Sequence, residues 1–101
     1  MTKVTRRDYV LTAVGHAGFA AVGTDIVCAA ASALFYTLAR ELDYRKIEFT
    51  MTEDAATGAE IVAYPPDGFT LDTDVVFETI CTGYRMLADE YPEHVTFTDE
   101  S

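Results

Sequence analysis

The sequence predicts an α+β fold, a two-layer sandwich of a mostly antiparallel sheet with two helices in the order β-β-α-β-β-α-β. Three observations predict it. Residues 46–52 (K-I-E-F-T-M-T) alternate strictly between polar and apolar, the period of a half-buried strand. Residues 26–42 and 73–91 are long enough for helices and carry apolar residues at helical spacing. The strand-like runs adjoin one another instead of alternating singly with helices, which favours hairpins over a parallel sheet.

In chain order, residues 2–5 and 9–14 read as the first two strands, with Arg6, Arg7 and Asp8 as the tight turn between them. The second strand runs into Gly15 and leaves His16 at a strand end. Glycines at 15, 18 and 23 give the following loop backbone angles closed to other residues. Asp25, or Thr24 before it, is placed to cap the helix that Ile26 opens. Ile26, Ala30, Ala33, Thr37 and Leu38 fall near one stripe of that helix, flanked by Leu34 and Leu42. The strand at 46–52 puts Ile47, Phe49 and Met51 on one face; 53–58 is a polar turn, and 59–64 is the partner strand, ended by Pro65-Pro66. Thr73 caps the second helix, whose face is Val76, Ile80, Gly83, Tyr84, Leu87 and Tyr91; Pro92 stops it. Residues 94–98 form a short last strand, and 99–101 a frayed acidic end.

With 101 residues, half of them apolar, the chain is expected to be one domain, residues 1–101, with a modest core that gains from a homodimer partner. Its net charge of −10, from 17 acidic and 7 basic residues, argues against nucleic acid and anionic membrane as direct partners. The same charge is compatible with a basic partner, whose encounter it would speed, although plain solubility is the favoured account of it. No uninterrupted apolar run reaches membrane-spanning length, and the first ten residues lack the apolar core of a secretory signal, so the cytoplasm is the expected location. Two cysteines and two histidines, with no metal-ligand spacing among them, predict no metal and no cofactor.

The chemistry concentrates between Gly15 and Leu34. A cysteine in the first turn of a helix, as Cys28 would be, faces unpaired N–H groups and the positive end of the helix dipole, both of which favour the thiolate. The same N–H groups can hold an oxyanion, and a histidine folding back from the loop, His16, can pair with the thiolate and protonate a leaving amine. The plainer readings stand beside this one. A cysteine in an alanine-rich helix is commonly a small core residue, and a histidine after a strand a turn residue. Asp25 can be a cap or can orient His16; Ser32, one turn after Cys28, can hydrogen-bond near the thiolate or simply pack. Cys81, mid-helix with no base nearby, reads as core, and His94 as solvated. The G-x-x-G of residues 15–18 matches a nucleic-acid clamp, but no basic residue occurs between Gly15 and Arg40 to support one.

These residues resemble the ribosomal-processing cysteine proteases called Prp. The resemblance rests on G-H-A-G-F-A at 15–20, D-I-V-C-A-A-A-S-A-L at 25–34 and T-G-Y-R-M-L-A-D-E-Y-P-E-H-V at 82–95, and it covers roughly residues 2–98. It implies that His16 and Cys28 are the catalytic pair, with Asp25 and Ser32 nearby, on a small α/β sandwich that forms homodimers. It implies as substrate the N-terminal extension of the bacterial large-subunit ribosomal protein L twenty-seven, with aromatic residues at the cut followed by a basic segment. Gly15, Gly18 and Gly23 would then make a mobile loop that orders over a bound peptide. The alternative is a non-catalytic dimeric protein that grips a basic ribosomal tail or an assembly factor. A redox role is weaker, since no second cysteine lies near Cys28 in sequence.

Overall fold

The structure, a computed structural model, describes residues 1–15, 26–54, 58–66 and 71–101. Its elements are β1 (Thr2–Arg7), β2 (Val10–Val14), α1 (Ile26–Tyr44), β3 (Glu48–Asp54), β4 (Gly58–Tyr64), α2 (Leu71–Glu90) and β5 (Val95–Asp99). The expected order β-β-α-β-β-α-β is the observed one. The strands form one sheet in the order β3-β4-β2-β1-β5. Neighbours are antiparallel, with Ala13 opposite Ala59 and Met51 opposite Ile61, except that β5 lies parallel to β1 with Val4 opposite Phe97. A parallel neighbour needs a crossover, and α2 supplies its last leg. The sheet is therefore mixed, and the fold is α+β.

Several boundaries shift, each for a local reason. The first turn is not at residues 6–8, because β1 runs on to Arg7 and the chain reverses at Asp8, whose φ of 51° is left-handed. Arg6 continues the alternation of β1 as a buried residue, which its charge concealed. β3 begins later than residue 46, because Lys46 ends α1. At φ 59° its N–H donates to the Asp43 carbonyl and the Ile47 N–H to the Leu42 carbonyl, a Schellman closure built on lysine. At its far end β3 extends to Asp54, so residues 53 and 54 are strand, not turn. α2 starts at Leu71, which leaves Thr73 buried inside it. The tail is tied down, not frayed: the Asp8 N–H donates to Ser101 Oγ at 2.7 Å, and the Ser101 N–H donates to Asp99 Oδ1 at 2.9 Å. That backbone bond holds the Asp99 carboxyl below its ordinary pKa.

The helices share one core with the sheet. α2 buries the expected Val76, Ile80, Tyr84 and Leu87, together with Phe77 and Cys81. Gly83 is on this face because a side chain there would collide with α1: its Cβ would stand 2.7 Å from Leu34 Cδ2. On α1 the buried stripe is Val27, Ala31, Phe35, Leu38, Ala39 and Leu42, one residue out of phase with the expected one, and Ile26 is 60% exposed. Alanine suits either face, so residues 29–33 could not set the phase; Phe35 did, by outweighing Leu34 in buried surface. Toward β3 the cover thins, with Ile47 buried, Phe49 half-buried and Met51 exposed, as befits an edge strand. No described helix is long and apolar enough to cross a membrane.

One buried charge ties the layers together. Arg6, 3% exposed, reaches from β1 to α2, where its guanidinium donates to Asp74 at 3.1 Å and to Glu78. Its Nε donates to the Asp8 carbonyl at 2.9 Å, and its plane lies over the Phe77 ring at 5.4 Å. Truncation would strip both carboxylates of this partner and open a void above Phe77. Arg6→Ala is expected to cost about 2–4 kcal/mol in urea unfolding. The exposed Arg7, paired with Glu100, should lose no more than about 0.5 kcal/mol in the same substitution. Equal losses at the two positions would show that burial does not set the value of the Arg6 pair.

Candidate active site

Antiparallel pairing brings the start of β1, the end of β2, the start of β4 and the end of β3 to one end of the sheet. The first turns of α1 lie against that end. Between them opens a cleft of about 480 Å³. Thr2, Ala13, Gly15 and Ala59 line it from the sheet; Cys28, Ser32 and Tyr36 line it from the helix. Ala31 and Phe35 of the buried stripe add apolar wall, and Glu53 and Asp54 close the end nearest β3.

Cys28 is the third residue of α1, inside the first turn as expected, and is half-buried. Ser32 and Tyr36 follow at successive steps of four, so the three side chains form one row along the helix face that borders the cleft. Ser32 is exposed and lies in the cleft, so it is not a packing residue. In the first turn of an α-helix the backbone N–H groups have no partner within the helix and carry the positive end of its dipole. A thiol next to such groups in a concave site is suited to attack a carbonyl whose oxygen those donors can receive.

Gly15 is where the chain leaves β2. Its φ is +91°, and a Cβ there would stand 2.3 Å from the Met1 carbonyl oxygen, so no other residue fits without moving the backbone. His16, Gly18, Gly23 and Asp25 lie outside the described residues.

The acidic end escaped the sequence reading. The Tyr36 hydroxyl donates to Glu53 Oε1 at 2.5 Å, linking α1 to β3. That bond raises the phenol pKa, so Tyr36 stays a donor. The signal available was Tyr36 at twice the four-residue step from Cys28. What hid the pair was the reading of residues 53–58 as a turn. No lysine or arginine occurs among the described residues that line the cleft.

The second cysteine is remote from this chemistry. Cys81 is fully buried among the core side chains, and burial pushes its thiol up to about 11, with Arg6 and Arg85 opposing the shift. The core reading of Cys81 stands. His94 is half-buried instead of solvated; its carbonyl accepts the Thr2 N–H at 2.8 Å and its own N–H donates to the Tyr91 carbonyl at 2.9 Å.

A half-buried thiol at a helix start in an open cleft can be compared with known proteins. The profile of a family described as Cysteine protease Prp matches residues 1–96. The ribosomal processing cysteine protease Prp of Mycoplasma genitalium is 34% identical over 101 residues, which is 100% of this chain and 98% of that one. A crystal structure of the ribosomal processing protease Prp from S. aureus, with a covalently linked product peptide, superposes with a TM-score of 0.82 at 20% identity. It covers 98% of this chain and 97% of its own. SMU.848 from Streptococcus mutans gives 0.76 at 28% identity, covering 97% and 90%. With the family profile and a relative of this identity spanning nearly the whole sequence, the chain belongs to the Prp family of cysteine proteases.

Proposed function

We propose that this protease removes the basic N-terminal extension of the ribosomal protein L twenty-seven precursor, with Cys28 as nucleophile and His16 as general base and acid. The observation that carries the reading is the Cys28 thiol in the first turn of α1, facing a cleft open to a peptide. The name of the M. genitalium relative supports a ribosomal precursor, and the acidic cleft end supports a basic one. Membership of a protease family favours cutting over the alternative of a non-catalytic grip on the same tail.

In the reaction, His16 takes the thiol proton and the Cys28 thiolate attacks the scissile carbonyl carbon. The N–H groups at the start of α1 receive the oxyanion of the tetrahedral intermediate. His16 then gives its proton to the leaving amine as the C–N bond breaks, leaving a thioester on Cys28. Water attacks the thioester with His16 as base, and the thiol returns as the acid product departs. Asp25 orients the His16 imidazole, and Ser32 hydrogen-bonds beside the thiolate. Gly15, Gly18 and Gly23 let the loop carrying His16 order over the peptide. A homodimer in the cytoplasm belongs to the same proposal, and it rests on the family resemblance.

Cleavage of the co-expressed precursor, followed by mass spectrometry, tests the assignment. Cys28→Ala and His16→Ala are each expected to lower the rate by on the order of 10³-fold or more, with unchanged circular dichroism. Cys81→Ser should retain most of the activity. Cutting by Cys28→Ala would overturn the nucleophile.

Thiol labelling gives an independent check. In the folded protein near neutral pH, iodoacetamide should add once, at Cys28. Cys81, buried with its pKa raised to about 11, should react only after unfolding. A first adduct on Cys81, located by peptide mapping, would mean that the wrong thiol has been assigned to the cleft.

A further inference from the structure

Cys28 belongs to a weakly anchored stretch of α1. From Ile26 to Ala33 the buried side chains are Val27 and Ala31, and one side of this stretch borders the cleft instead of packed core. An alanine methyl buries little surface, so it resists rotation of the helix weakly. A hydrogen bond to the main chain resists it better, because each carbonyl has one place on the helix and the bond is directional.

α2 supplies such a bond. Tyr84 is fully buried and does not line the cleft, and its hydroxyl donates to the Ala31 carbonyl at 2.8 Å. A carbonyl oxygen has two lone pairs, so Ala31 can take this donor as well as its partner within the helix. The Tyr84 ring stacks on Phe97 of β5, with centroids 6.3 Å apart, so the phenol is not free to follow α1 if the helix turns. Beside it, Gly83 lets α2 come close: a Cβ there would stand 2.7 Å from Leu34 Cδ2. Ala31 lies between Cys28 and Ser32 in sequence, so the bond is made inside the turn that carries both.

The geometry assigns Tyr84 as a positioning residue for the protease reaction, its hydroxyl holding the Ala31 carbonyl and thereby setting the direction from which Cys28 meets a bound peptide. The assignment rests on Cys28 being the nucleophile of the proposed reaction. Because Tyr84 touches no part of the cleft, its loss falls on the approach of the reacting atoms and not on peptide binding.

Tyr84→Phe removes the hydroxyl and keeps the ring. Steady-state cleavage of the purified ribosomal protein L twenty-seven precursor is measured on full-length protein shown to be folded by circular dichroism. Tyr84→Phe is expected to lower kcat roughly three- to thirtyfold and to leave KM within about twofold. Val76→Ala, a core truncation two turns earlier on α2, is the control for stability alone. It should lower the urea midpoint and leave kcat within about twofold. Phe97→Leu keeps the hydroxyl but frees the ring, and should lower kcat less than Tyr84→Phe; it carries the test should that variant not fold. The hydrogen bond itself is read by nuclear magnetic resonance. With heavy carbon at alanine carbonyls and heavy nitrogen at serine amides, the Ala31–Ser32 peptide group alone carries both labels, and its carbonyl signal should move upfield in Tyr84→Phe. An unmoved signal, an unchanged kcat, a loss confined to KM, or an equal loss of kcat in Val76→Ala overturns the positioning role. Cutting by Cys28→Ala overturns the nucleophile and the role built on it. An inert Cys28→Ala protein beside a fully active Tyr84→Phe protein overturns the positioning role alone.

Discussion

The place of Cys28 depends on the rotational phase of α1, and one buried hydrogen bond helps to lock that phase. The Tyr84 hydroxyl, on α2, donates to the Ala31 carbonyl at 2.8 Å, inside the turn that separates Cys28 from Ser32. Burial raises the Tyr84 pKa and keeps the phenol a donor, and its ring stacks on Phe97 of β5 at 6.3 Å with the planes 5° apart. The anchor is therefore fixed to the sheet at its other side. An α-helix turns by about 100° per residue, so a slip of one position would swing the thiol a quarter-turn away from the cleft. Leu34 over Gly83 resists the same slip from the neighbouring turn.

That phase was the part of α1 least legible in the sequence. A run of alanines offers two helix faces of nearly equal hydrophobicity, and the choice between them falls to Phe35 and Tyr84, seven residues and a whole helix away from Cys28. Helix position was easier to read, because candidate capping residues precede Ile26 in the sequence and an alanine-rich run follows it. The place of Cys28 early in α1 was thus legible, while the meeting of Tyr36 with Glu53 was not, because it depends on which face points where. The sheet behaves similarly. Alternation marks each strand, but it carries no statement of neighbours, so the parallel pairing of β1 with β5 had no local signal. Arg6 was misread for a different reason: a charged side chain breaks the apolar pattern of β1, and its partners, Asp74 and Glu78, are some seventy residues away.

The two cysteines show how little of their chemistry belongs to the residue type. Both are within helices and both are reduced. Cys81 is fully buried, and removing its thiolate from water is costly enough that its pKa rises even with two arginines near. Cys28 differs in two local respects: it is the third residue of α1, and it is half-buried at the border of a cleft. One position supplies packing and the other a wall of the cleft.

The same economy governs the end of the sheet where the cleft forms. Antiparallel connections gather four strand ends there, and strand ends are where backbone angles are least constrained by a ladder. Gly15 uses that freedom to turn away from β2 against the Met1 carbonyl, directly before His16. Glu53 and Asp54 use it differently, keeping polar side chains on the last residues of an edge strand, where the helices no longer cover them. Apolar wall comes from residues the core has already ordered, such as Ala31 and Phe35, so the cleft floor is rigid without any residue devoted to it alone. The charged end is built from exposed groups and one tyrosine. Substitutions there are expected to cost folding little, whereas substitutions on the floor reach directly into the core.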